Sequence, residues 1–265
     1  MSDWIHGLPV LWMGIVIFVG IYLGTAVIYA VVMRLAVGER ARTFKGVSPG
    51  LLPPLGIIFG LLVAFVAAQV WSDIDRANVA VNREASALRE IVLLSNAFPG
   101  EPATRLKGLV ARQIRDAKDV EWPAMAKNQA TLHMVPGALA EALTVALTMP
   151  VKGDGQAAAQ RAMLAALENA LDARRMRILV SHAQVNPLKW LALLVEAAIS
   201  LAAIAVVHSD NRATSRLALG LFSTAVAMCI LMIAAHDRPF TGQVSISPTA
   251  LVNVQPESPV ADTAH

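Results

Sequence analysis

The chain has 265 residues, of which 56% are hydrophobic and 15% charged, and its mean hydropathy is +0.56. Soluble domains carry about 25% charged residues, so the composition argues against a soluble enzyme or binding module. The net charge of +3 is small and no basic stripe stands out, which leaves nucleic-acid binding without support.

Four apolar stretches explain the imbalance: Val10–Met33, Leu51–Trp71, Leu188–Val207 and Leu217–Ala235. Each is about 20 residues or more, the length a helix needs to cross a hydrocarbon core of ~30 Å. They do not alternate apolar with polar, so membrane strands are not indicated. Without water to satisfy backbone amides, unbroken helix is the expected conformation. The stretch before the first span holds Asp3 and His6 but no Lys or Arg. A secretory signal starts basic and has a shorter apolar core, so a retained helix is expected.

The first two spans are joined by Arg34–Gly50, with Arg34, Arg40, Arg42 and Lys45 against Glu39. Gly46, Ser48, Pro49 and Gly50 read as loop, and Pro53 and Pro54 fit the first turn of the second span. That span carries Gly56, Gly60, Ala64 and Ala68 at intervals of four. Such a small-residue stripe serves close helix packing in membranes. It also lets several copies of one helix converge around an axis. Leu55, Phe59, Val63, Val66 and Val70 would then line an apolar constriction of the kind that gates ions by dewetting. Trp71 reads as an interfacial anchor. Asp73, Asp75 and Arg76 follow where the span leaves the bilayer, as candidate pore-mouth charges.

The central block, Ser72–Pro187, is polar with helical patterning. Ala77, Val81, Ala85, Leu88, Val92 and Leu94 form one apolar face, with Asp73, Asp75, Arg76, Arg83, Glu84, Arg89 and Glu90 on others. The second span is expected to run into this helix without a stop until Phe98-Pro99-Gly100. Further helices are predicted over about 103–131 (perturbed by Pro123), 137–148 and 156–186, with Pro187 kinking or breaking the chain before the third span. In that span Glu196 is the one acid deep in an apolar stretch. Placing a carboxylate there costs about 2–3 kcal/mol on the lenient insertion scale, which makes it a functional candidate. The bland alternative is a protonated or hydrogen-bonded side chain facing Ser200, Thr25 or Ser223. The lone cysteine, Cys229, reads as packing in the fourth span. In the tail, residues 244–246 and 251–254 could be short extended pieces, and the last residues are expected to fray.

The expected architecture is therefore an all-α membrane protein. Transmembrane helices 1 and 2 occupy residues 1–71 and a helical extramembrane domain 72–187. Helices 3 and 4 occupy 188–236, and a polar tail 237–265. Charge counts leave the topology open. The short connections, with Arg34, Arg40, Arg42, Lys45, Arg212 and Arg216, place the domain outside. The basic residues near the span ends on the domain's side, Arg76, Arg83, Arg174, Arg175, Arg177 and Arg238, argue that it lies inside. The six histidines show no metal-ligand spacing, so no metal or cofactor is expected. No nucleophile–base or acid–base arrangement stands out, and no enzyme is expected.

Several passages carry a family resemblance: Ser48-Pro49-Gly50-Leu51-Leu52, the run Leu55–Glu90, Arg76-Ala77, Arg83-Glu84-Ala85, Glu121-Trp122-Pro123, and above all Asp237-Arg238-Pro239-Phe240-Thr241-Gly242. With the order of two spans, a helical block and two spans, the chain resembles the bestrophins, and more closely the bacterial bestrophin-like family. The resemblance implies a homopentameric ion channel in the inner membrane. Its second spans would surround a neck near Leu55, Phe59 and Val63, and its helical domain would extend the conduit on the cytoplasmic side. The bestrophin neck is richer in Phe than this span. The permeant ion is not assigned. Two other readings fit the layout: a membrane sensor or scaffold without a pore, and a stator-like proton-channel subunit whose partner chain supplies an ionisable residue.

Overall fold

The computed structural model describes residues 7–133, 136–254 and 256. Regular structure among them is helical: α1 Val10–Leu35, α2 Glu39–Lys45, α3 Leu52–Ser95, α4 Glu101–Asp116, α5 Trp122–Ala126, α6 Gly137–Thr148, α7 Asp154–Ser181, α8 Pro187–Val207, α9 Arg212–His236 and α10 Thr249–Val252. A 3₁₀ turn, Pro49–Leu51, precedes α3, and a π turn, Ala117–Glu121, joins α4 to α5. Helices α1, α8 and α9, and the stretch from Pro49 through α3, are long and apolar enough to cross a membrane.

The second span and the helix after it are one uninterrupted element of 44 residues. The predicted break comes after Ser95, where Gly100 adopts φ 97° and Glu101 and Pro102 open α4. The helix predicted over 103–131 ends at Ala126. Pro123 has no N–H to give the preceding turn, and the chain widens into the π turn just before it. The helix predicted to reach residue 186 stops at Ser181. Asn186 then caps α8 by accepting from the Leu188 amide, with Pro187 in the first helical position. Inside the first connecting loop the basic run folds as the short helix α2. The tail differs from the extended pieces expected. Residues 244–246 form no strand, and 249–252 form one helical turn. The expectation about the last residues falls outside the described residues.

The chain divides into two compact units. One comprises the sequence through Ser72 with Gln184–Arg238 and Gly242–Val244. Here α1, α8 and α9 pack on one another, and α2 lies against α8. Val32, Leu201, Ile204, Ala205 and Leu219 are buried together, with Phe44, Leu52 and Phe222 packed on them. Between α1 and α9 the hydroxyls of Thr25 and Ser223 hydrogen-bond at 2.7 Å, as do Tyr22 and Thr224 at 2.7 Å. Each such pair satisfies groups that lipid cannot.

The other unit comprises Asp73–Ala183, Pro239–Thr241 and the sequence from Ser245. Its core is rich in alanine, with Ala138, Ala142, Ala146, Ala166 and Ala170 almost fully buried where α6 meets α7. Small side chains let these helices approach closely. Part of the tail belongs to this core. Phe240 packs edge-on to Trp122 at 5.5 Å, Trp122 donates to the Ile246 carbonyl at 3.0 Å, and Leu251 is buried.

Candidate functional site

The spanning part of α3 has two unlike sides. Phe59, Val66 and Val70 are buried in the protomer, at 6%, 5% and 3% exposure, and Phe59 packs on Phe222 of α9 at 5.7 Å between ring centroids. Leu55 and Val63 are half-buried. On the other side Ile57, Leu61 and Phe65, again spaced by four, are 63%, 53% and 72% exposed. Beside them Gly56, Gly60, Ala64 and Ala68 are also exposed, and a Cβ added at Gly56 or Gly60 would touch nothing. The two stripes read from the sequence thus have different surroundings in the protomer. The five residues read as pore-lining are buried or partly buried in the protomer, with Phe59 packed on Phe222. The stripe read as packing is the one left open.

The charges that follow α3's span are also unequal. Asp73 is buried and paired with Arg76, whose side chain is itself more than half exposed. Asp75 is exposed and makes no ion pair among the described residues. Glu196 on α8 is half-buried, and its Oε1 is enclosed with no hydrogen-bond partner among the described residues. Thr25 and Ser223 satisfy each other rather than Glu196. Ser200, one turn further along α8, is buried, and its hydroxyl has no hydrogen-bond partner among the described residues.

The most developed polar cluster is one that sequence reasoning passed over. Arg177 of α7 is fully buried. Its Nε donates to Glu84 Oε2 at 2.7 Å and its Nη2 to Glu84 Oε1 at 3.2 Å and to Glu121 Oε2 at 2.6 Å. Glu121 also accepts from Arg174 Nε at 2.7 Å, Gln113 donates to Glu84 at 3.4 Å, and the Arg177 guanidinium lies 4.8 Å over the Trp122 ring. Two cations meet two anions, so the cluster is neutral. Burial works to lower the Arg177 pKa, but the Glu84 and Glu121 carboxylates outweigh it and raise it above its ordinary value. Glu84 belongs to the buried face Ala77, Val81, Glu84, Leu88, Ile91, not to a solvent face as its charge suggests. The π turn places Glu121. Charged residues in register with an apolar stripe are the sequence signal that marks this cluster. Among the described residues no group of His, Cys, Asp and Glu side chains could hold a metal ion.

A model of the Bestrophin-like domain matches residues 19–251. The chain belongs to the bestrophin-like family. The bestrophin-like fold is borne out by two solved chains. A mutant of a bacterial bestrophin homologue from Klebsiella pneumoniae superposes with a TM-score of 0.67 at 12% identity, over 89% of this chain and 96% of that one. A membrane protein carrying a point mutation gives a TM-score of 0.67 at 12% identity, over 90% and 96%. At that identity the likeness speaks for the fold alone. No curated protein matches the chain. The resemblance carried by the tail motif Asp237–Gly242 and the Glu121-Trp122-Pro123 corner therefore leads to the right family. The residues of both passages take part in structure: Phe240 and Trp122 pack together, Glu121 anchors the charge cluster, and Asp237 Oδ1 accepts from the Val185 amide at 2.6 Å.

Proposed function

We propose that this bestrophin-like chain is an ion channel, not an enzyme, that assembles as a ring of identical subunits, five by family resemblance, in the inner membrane. The observation that carries this is the open side of α3. A membrane span in a folded protomer leaves Ile57, Leu61 and Phe65 bare beside a stripe of Gly56, Gly60, Ala64 and Ala68. Small residues let neighbouring copies of α3 approach, and the bulky row then narrows the space they enclose. An apolar constriction of this kind holds back ions by dewetting when narrow and passes them when widened. The neck is accordingly assigned to Ile57, Leu61 and Phe65 instead of Leu55, Phe59, Val63, Val66 and Val70. At the mouth Asp75, exposed and unpaired among the described residues, supplies the free charge, since Arg76 neutralises Asp73. A ring of such carboxylates favours cations.

The test is current through planar bilayers holding the purified protein. The parent is expected to conduct, and Phe65→Ala to raise unitary conductance or open probability. Asp75→Asn is expected to lower cation preference. Bilayers that stay sealed at high protein density would refute the channel reading. Particle images showing a dimer rather than a ring would favour a poreless sensor or scaffold instead.

A further inference from the structure

A second feature of the membrane-spanning unit is independent of conduction. A groove of about 700 Å³, within the ~300–1,000 Å³ range of ligand sites, is walled by Leu52 and Leu55 of α3, Ile204 of α8, and Leu221 and Phe222 of α9. Its surface is overwhelmingly apolar. The polar residues of its lining are His208, whose Nδ1 lies 3.0 Å from the Ile204 carbonyl oxygen, and Ser200, which is buried to 3% exposure and whose hydroxyl has no hydrogen-bond partner among the described residues. A donor left unsatisfied in an apolar wall costs free energy unless something in the groove accepts from it.

The groove reaches Pro49 and His208, the residues at which two connecting segments meet the spans. Those segments are basic. Lys45 lies four residues before Pro49 at the end of α2, and Arg212 four residues after His208 at the start of α9. Phe44 ties α2 to the same wall, packing on the cluster that holds Leu52, Ile204 and Phe222. Arg40, Arg42, Lys45 and Arg212 are exposed and make no ion pair among the described residues, although Glu39 and Asp210 lie in the same segments. Cations held without partners beside an apolar, membrane-level groove are complementary to a molecule with a negative head and a hydrocarbon body.

We infer that the groove bounded by α3, α8 and α9 binds an anionic phospholipid. An acyl chain lies along Leu52, Ile204, Leu221 and Phe222, Ser200 donates to an ester carbonyl, and the phosphate meets the α2 and Arg212 cations. Each cation near an anionic lipid contributes roughly fivefold in binding.

Native mass spectrometry of the full chain in detergent tests this, with phosphatidylglycerol or phosphatidylcholine of matched acyl chains added. The parent is expected to retain phosphatidylglycerol adducts well beyond phosphatidylcholine. Arg40→Gln with Arg42→Gln, both on the exposed α2, is expected to cut phosphatidylglycerol retention by about 25-fold and leave phosphatidylcholine unchanged. Ala225→Leu, at an exposed position lining the groove, is expected to abolish retention of both. Equal retention of the two lipids by the parent would overturn the inference. So would unchanged phosphatidylglycerol binding in either variant. A loss of oligomer size in Ala225→Leu with lipid binding intact would assign the groove to a second copy of the chain instead.

Discussion

Arg177 is the side chain whose removal should be felt most. It neutralises Glu84 and half of Glu121 inside a dry core, so Arg177→Met leaves buried carboxylates without their cation. Breaking a buried pair from one side costs about 3–5 kcal/mol, whereas replacing both partners by apolar groups of similar volume is often neutral. Detergent-solubilised Arg177→Met should therefore melt well below the parent, and Arg177→Met with Glu84→Leu should recover much of the loss, because Arg174 still balances Glu121. Equal destabilisation by the single and double variants would contradict this. Because the Arg177 pKa is raised, that side chain's own contribution is fully present below the ordinary arginine value and is lost only as the pH rises through the folded-state value, far above neutrality. Glu141 behaves differently. Hydrogen bonds from Arg112 at 2.7 Å and Arg105 at 3.2 Å hold its pKa below the ordinary 4.5. A lowered carboxylate pKa gives stability that is present above pH 4.5 and lost as the pH falls through the folded-state value. Melting should fall slightly as the pH drops below 4.5, and Glu141→Gln should reduce that slope. A slope identical to the parent's would sink the assignment.

Along α3 the sequence states length and apolarity plainly but not orientation. Both of its stripes consist of residues that lipid, protein or a pore would accept, and no polar residue between Leu55 and Ala68 marks which side faces what. The orientation is set by what packs on the span, such as Phe222 on Phe59, and Phe222 lies far away in the chain. The charge cluster was hidden for a related reason. Glu84, Glu121 and Arg177 are brought together across α3, the π turn and α7, and a sequence shows each as an ordinary surface-type residue. Its signal, a charge falling on the apolar face, appears only when the stripe is drawn through Glu84 instead of Ala85. Breaks at proline and glycine were readable because their backbone constraints are local. The two sides of α3 should respond differently to truncation. Phe59→Ala removes a buried ring and its packing on Phe222. It is expected to lower the melting temperature, at a cost below the ~3–5 kcal/mol of such a truncation in a water-soluble core, because only packing is lost in lipid. Phe65→Ala removes an exposed ring and should leave the protomer's melting unchanged. A larger loss in Phe65→Ala would mean the open side is not open.

At the scale of the whole molecule, the four apolar spans and the family match define the fold, and the open side of α3 is where we propose that copies of the chain meet. Cysteine accessibility during conduction addresses the arrangement directly. In a Cys229→Ser background, Phe65→Cys and Phe59→Cys are each placed in a bilayer and exposed to a charged, membrane-impermeant thiol reagent. If α3 lines the conduit with its open side, current through Phe65→Cys falls on modification and current through Phe59→Cys does not. Block of Phe59→Cys with Phe65→Cys untouched, or block of neither in a conducting protein, would contradict the assignment.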